Sequence, residues 1–220
     1  MDAAELLLWA RGPGLLLAVG IFLFGMLLKL AEILLLGRER NLAPVRASGV
    51  GAGFRTLFRR SFAMDRSSLK TSLFVHLAGY AFHVGLLAAI FLYTPHVQLF
   101  GALTGLTWPA LPSPVVDLLT VIALVSLMAL LWHRLTTPVL RLISTGQDYL
   151  AWALSFFPLL TGYMAYHHLW FDYDWLLAIH ILSAELLLVF FPFTKLSHAV
   201  TLFMARWYNG MMAGQRGVQS

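Results

Sequence analysis

The sequence predicts an all-α membrane protein: a five-transmembrane-helix bundle with its N-terminus outside and its C-terminus in the cytoplasm. Three observations predict it. First, the 220 residues are 60% hydrophobic and only 11% charged, with a mean hydropathy of +0.78, where soluble domains carry about 25% charged residues. Second, five apolar segments are each about long enough to cross a hydrocarbon core of ~30 Å, and only helices satisfy their own backbone there. Third, lysine and arginine are concentrated in alternate loops.

The spans cover about residues 14–37, 71–93, 115–132, 148–166 and 175–196. The stretch MDAAELLLWARGPG lacks a basic leader and a small-residue cleavage site, so the first span reads as retained. A basic loop, 38–70, follows it with Arg38, Arg40, Arg46, Arg55, Arg59, Arg60, Arg66 and Lys70. Arg134 and Arg141 lie between spans three and four, and Lys195, Arg206 and Arg216 follow span five. The segments 94–114 and 166–175 hold no Lys or Arg. The positive-inside rule therefore orients the bundle, and it accounts for the net charge of +5 without a nucleic-acid partner. Trp108, Trp170 and Trp175 suit the outer interface, Trp132 and Trp207 the inner one. No internal repeat is evident, so residues 1–220 read as one integral-membrane domain.

The chain has no cysteine. Disulfides, thiolate-bound clusters, cysteine-type zinc sites and covalently attached haem are thereby excluded within it. Any metal must be held by histidine, methionine or carboxylate.

The run HILSAELLLVFFPFTKLSH carries a histidine at each end. His180 and His198 are 18 residues apart, five turns of a helix, so they share a face roughly 27 Å apart along the axis. Span two holds His76 and His83, seven residues apart and within about 20° of one face. Ionisable groups inside spans are costly and face the bundle interior. Two helices with two co-facial histidines each suggest bis-imidazole ligation of a planar cofactor, and haem b fits a chain without cysteine. Copper and zinc fit less well because three or four ligands must converge on one point.

Spans two and five run antiparallel, which pairs His76 with His198 for an inner haem and His83 with His180 for an outer one. The rises differ, about 10.5 Å against about 27 Å, and His96 matches the depth of His180 better. It lies roughly 160° off the face in a straight helix, however, and Pro95 marks a helix end. His83 is the outer ligand on this reading, with His96 as the alternative. His133 at the inner interface and His167–His168 at the outer rim read as solvated histidines.

Three stretches resemble the respiratory nitrate reductase gamma subunit family, which includes the di-haem cytochrome b subunits of sulfite-reductase-associated and heterodisulfide-reductase-type membrane complexes. They are FFPFTKLSHAVTLFMARW with a histidine 18 residues before His198, RLTTPVLRLISTGQDYLAW at 134–152, and SLFVH at 72–76. The resemblance covers nearly the whole chain. It implies haem b at His76 with His198 and at His83 with His180. It also implies a subunit that carries electrons between the quinone pool and a cytoplasmic iron–sulfur or catalytic redox partner, oxidising quinol, in a prokaryotic cytoplasmic membrane. The seven-residue spacing on span two is shorter than in nitrate reductase gamma subunits, which points to a relative of that subunit.

Arg134, Arg141 and Arg206 are candidate partners for haem propionates, or ordinary positive-inside residues. Glu185, an intramembrane carboxylate five residues after His180, is a possible proton carrier or a helix–helix contact. Lys29 and Glu32 read as an ion pair. Gly79 and Gly85 would admit a flat macrocycle or pack helices. The sequence FRTLFRRSF in the basic loop suggests a short amphipathic stretch on an anionic leaflet or a subunit-docking segment. The reading from another class is a haem-free structural membrane anchor.

Overall fold

The computed structural model describes residues 2–36, 44–62 and 72–218, and those residues are helices and short connections without a strand. Arg38, Arg40, Arg66 and Lys70 of the basic loop lie outside them. The longer helices are α1 (Ala3–Trp9), α2 (Leu15–Leu35), α3 (Val50–Ser61), α4 (Leu73–Leu92), α5 (Thr94–Thr104), α6 (Ser113–Thr136), α7 (Pro138–Ile143), α8 (Gly146–Tyr166), α9 (Tyr173–Phe190) and α10 (His198–Gln215).

Four helical stretches are long and apolar enough to cross a membrane: Ala3–Leu35, Leu73–Leu92, Ser113–Thr136 and Tyr173–Phe193. The first starts eleven residues earlier than the sequence boundary of 14, because Asp2 and Glu5 form a capping box at Ala3. A π turn at Ala10–Gly14, containing Pro13, joins α1 to α2 within it. The expected fourth span, α8, has the length, but Gln147, Asp148, four aromatic hydroxyl or indole side chains and Thr161 dilute its apolar content.

The expected single helix over 175–196 is corrected. It ends at Phe190 and gives way to 3₁₀ turns at Phe191–Phe193 and Lys195–Ser197, with Thr194 extended between them. Pro192 supplies no amide for an α-helical bond, and the Thr194 side chain accepts the Leu196 amide instead. His198 opens a new helix, so the expected five uninterrupted turns from His180 do not form.

The chain forms two compact units, one of Met1–Phe22 with Leu77–Phe190 and one of Leu23–His76 with Phe191–Ser220. In the first, Phe82 of α4, Ala123 and Leu127 of α6 and Leu159 of α8 form the core, with Trp152 and Phe156 packed against it. Gly85 lies where any Cβ would strike the Leu119 carbonyl and come within 2.8 Å of Ala123 Cβ. Its role is thus close packing of α4 on α6. The Trp152 indole donates to the Leu127 carbonyl at 2.8 Å, and α9 packs on α8 and α1.

In the second unit, α3 packs along α10. Thr56 and Gly53 of α3 and Gly210 of α10 are buried in that seam. A side chain on Gly49 or Gly210 would collide with the Met211 carbonyl or Thr56 respectively. Small residues therefore set the approach of the two helices, as in membrane helix pairs. The expected Lys29–Glu32 ion pair forms at 3.0 Å on α2.

Candidate haem-binding site

The site is built where α4 ends. The last turn of a helix leaves carbonyls without intrahelical partners, and here the following segment supplies donors. Trp108 Nε1 donates to the Phe91 carbonyl at 2.5 Å, and the Leu111 amide donates to that of Leu92 at 2.8 Å. His96 Nδ1 donates to the Ala89 carbonyl at 2.6 Å. Tyr93 is extended, and Pro95 sits in the first turn of α5, where its missing amide costs nothing. The chain thereby turns off the axis of α4 and folds the His96 ring back.

What His96 meets is His180 of α9. The ring centroids are 5.9 Å apart and the planes differ by 17°. His180 Nδ1 lies 3.1 Å from the Pro158 carbonyl of α8 and 3.4 Å from Thr161 Oγ1. Thr161 Oγ1 also lies 3.0 Å from Ser183 Oγ, which donates to the His180 carbonyl. Gly162 leaves room for the ring: a Cβ there would stand 3.0 Å from His180 Cε1.

A carbonyl only accepts, so each Nδ1 facing one carries the proton and each Nε2 keeps its lone pair. This is the arrangement that fixes a histidine as a metal ligand. Burial also holds the His96 imidazole below its ordinary pKa, against the opposing effect of its bond to Ala89. A metal–imidazole bond is about 2 Å, so two imidazoles that shared one metal ion would put their centroids roughly 6 Å apart, of the order of the 5.9 Å between His96 and His180. Among the described residues no group of three or more His, Asp or Glu converges on one point.

The ring opposite His180 is therefore that of the alternative, His96. His83, expected there, directs Nδ1 to the Gly79 carbonyl at 2.7 Å, one turn back on α4, and is exposed beside Phe82. The depth argument for His96 agrees with this placement; the objection from its 160° offset fails because α4 and α5 are not one straight helix. His76 sits in the first turn of α4 with Nδ1 2.9 Å from the Ser72 carbonyl and 3.0 Å from Ser72 Oγ. His198, the first residue of α10, donates from Nδ1 to Lys195 at 2.7 Å. Both rings carry the same tautomer as His96 and His180.

Two of the three candidate propionate partners are engaged with the protein. Arg134 reaches Ser144 Oγ at 2.8 Å and Asp148 at 3.5 Å, and Arg206 reaches Ser61 Oγ at 3.0 Å. Arg141 lies in the last turn of α7. Glu185 is buried on α9; among the described residues its Oε1 has no hydrogen-bond partner, and it lies beside Gly14 of the π turn, where a Cβ would approach it to 2.8 Å.

Sequence reasoning passed over one feature. His167 Nε2 lies 2.8 Å from Asp117 Oδ1, and its ring stands 4.4 Å from that of Tyr163 and 4.8 Å from that of Tyr166. Tyr166 meets Tyr93 at 6.0 Å, and Tyr93 meets His96 at 5.4 Å. A continuous run of rings connects the Asp117–His167 pair to the His96–His180 pair. The available signal was Asp117 in the first turns of span three, an acid at the expected outer end of an apolar run.

A protein of Nitratidesulfovibrio vulgaris (strain Hildenborough) is 35% identical over 169 residues, covering 76% of this chain and 74% of its own length. The chain belongs to the family of that protein. No family model matches the sequence, and no solved structure matches it.

Proposed function

We propose that the chain is a membrane-anchoring cytochrome b subunit, carrying electrons between the quinone pool and a partner redox subunit. The reading comprises a five-span bundle with α8 as fourth span, the N-terminus outside and the C-terminus cytoplasmic, in a prokaryotic inner membrane. Two b-type haems are bound, the outer by His96 and His180 and the inner by His76 and His198. The observation that carries it is the facing pair His96–His180, each tied through Nδ1 to a carbonyl with Nε2 left to coordinate. The resemblance to nitrate reductase gamma subunits supports the inner pair.

Haem b held this way supplies one-electron redox chemistry. The chain's residues orient and shield it: Pro158 and Ala89 fix the imidazoles, Gly162 leaves His180 its space, and Arg134, Arg141 and Arg206 offer cationic surroundings to carboxylates. Oxidation of a quinol releases two protons with its two electrons, and the protons need acceptors. Because His167 Nε2 donates to Asp117, its Nδ1 is the basic nitrogen and holds one such proton. Asp117 stabilises the resulting imidazolium. Glu185 is a second carrier within the membrane.

The test is a pyridine haemochrome count on the purified chain and on His76→Ala, His96→Ala, His180→Ala and His198→Ala variants. About two haems b per chain, with one lost in each variant, is the expected result. A chain purified under mild conditions without haem would make it a haem-free structural anchor.

A further inference from the structure

The basic segment that follows α2 contains a helix whose two faces have different partners. Toward α10, α3 presents Ala52, Gly53 and Thr56, which pack against Trp207, Gly210 and Gly214. Away from that seam run Val50, Phe54, Phe58 and Phe62, each more than half exposed. Their four-residue spacing keeps them within one stripe, drifting about 40° per step. Phe54 borders the seam, meeting Trp207 edge-on at 6.2 Å, with about half of its surface left exposed.

Arg55 and Arg59 border one side of this stripe, one turn apart and exposed. They line a cleft of about 380 Å³ with Ser48, Gly51, Gly214 and Gly217. The cleft combines two guanidiniums, which match phosphate geometry bidentately, with a hydroxyl and glycines that leave it open. An aromatic stripe bordered by arginines is the pattern of a helix lying in a bilayer interface. A soluble partner would meet a cationic rim around the aromatics; a leaflet of anionic lipid offers acyl chains and phosphates in that same order.

We propose that α3 is an interfacial helix that lays its Val50–Phe54–Phe58–Phe62 stripe into an anionic leaflet while Arg55 and Arg59 hold a lipid phosphate in the adjoining cleft. This is independent of haem binding. It gives the long basic segment a mechanical role: α10, packed on α3, is tied to the membrane surface although it is less apolar than the spans.

The absence of cysteine from the chain makes the test clean. A nitroxide is placed at Phe58→Cys, at Phe62→Cys, and at Arg60→Cys outside the stripe, in the full chain reconstituted into vesicles. Collision with oxygen, which partitions into lipid, is compared with collision with a water-soluble nickel chelate. In phosphatidylcholine vesicles containing phosphatidylglycerol, positions 58 and 62 become oxygen-accessible and chelate-protected, while position 60 stays open to the chelate. Adding Arg55→Gln and Arg59→Gln lowers the docked-to-undocked ratio about thirtyfold, taking each basic residue at about 1 kcal/mol near an anionic surface. Three results overturn the proposal: chelate access at 58 and 62 in anionic vesicles, equal insertion into wholly zwitterionic vesicles, or shielding from both relaxers, which would mean a protein covers the stripe. The two stripe positions lie outside the α3–α10 seam, so circular dichroism identical to the unsubstituted chain confirms that the variants are folded.

Discussion

His96 and His180 face each other across 5.9 Å, and each is anchored through Nδ1 to a carbonyl of a different helix, Ala89 of α4 and Pro158 of α8. Four helices thereby hold the two rings together, α5 and α9 carrying them and α4 and α8 anchoring them. His96→Ala is expected to remove one haem per chain and His83→Ala to remove none, read by haemochrome count and by the reduced-minus-oxidised spectrum. Loss of a haem in His83→Ala with retention in His96→Ala would restore the pairing of His83 with His180.

Gly162 is the contact through which α8 touches the His180 ring. A methyl at this position stands 3.0 Å from Cε1, closer than side chains ordinarily approach, so the ring must shift. Gly162→Ala is expected to destabilise the chain by about 1–3 kcal/mol and to shift the midpoint potential of one haem only. Redox titration followed optically distinguishes this from general loosening, which would move both potentials or neither.

The Asp117–His167 pair separates stability from turnover. Both side chains are partly exposed, and such a pair contributes about 0–1 kcal/mol to folding. Asp117→Asn should therefore leave thermal unfolding nearly unchanged while lowering quinol oxidation by roughly 10²–10⁴-fold, the scale of a lost general base. Haem content should stay at the wild-type value. Unchanged quinol oxidation in this variant would take His167 and Asp117 out of the proton path.

Glu185 makes the opposite trade. A buried oxygen without a partner costs about 1–3 kcal/mol, so Glu185→Leu, of similar size, should raise the thermal unfolding midpoint. If the carboxyl carries protons, the same variant slows quinol oxidation, and Glu185→Gln slows it as well without the gain in packing. A stabilised variant with full turnover would leave Glu185 with no part in proton transfer.

The sequence alone determined that the chain is helical and carries helices long and apolar enough to cross a membrane, because apolar composition acts residue by residue and needs no tertiary contact to be read. It also determined the ion pair of Lys29 with Glu32 and the amphipathic character of Val50–Ser61, since both depend on neighbours three or four residues apart. His180 was legible as a candidate ligand from its position in an apolar run. Its partner was not. Helical periodicity places side chains only while the helix continues, and here it stops twice, at Tyr93 and after Phe190. The turn at Tyr93 removes His96 from the straight-helix geometry that set it on the wrong face, and the carbonyl that fixes its ring belongs to the end of the preceding helix. The breaks at Pro192 and Thr194 likewise end the helical periodicity that ran from His180 toward His198. Only the tertiary structure decides which imidazoles meet, because their meeting depends on backbone turns and on carbonyls distant in sequence.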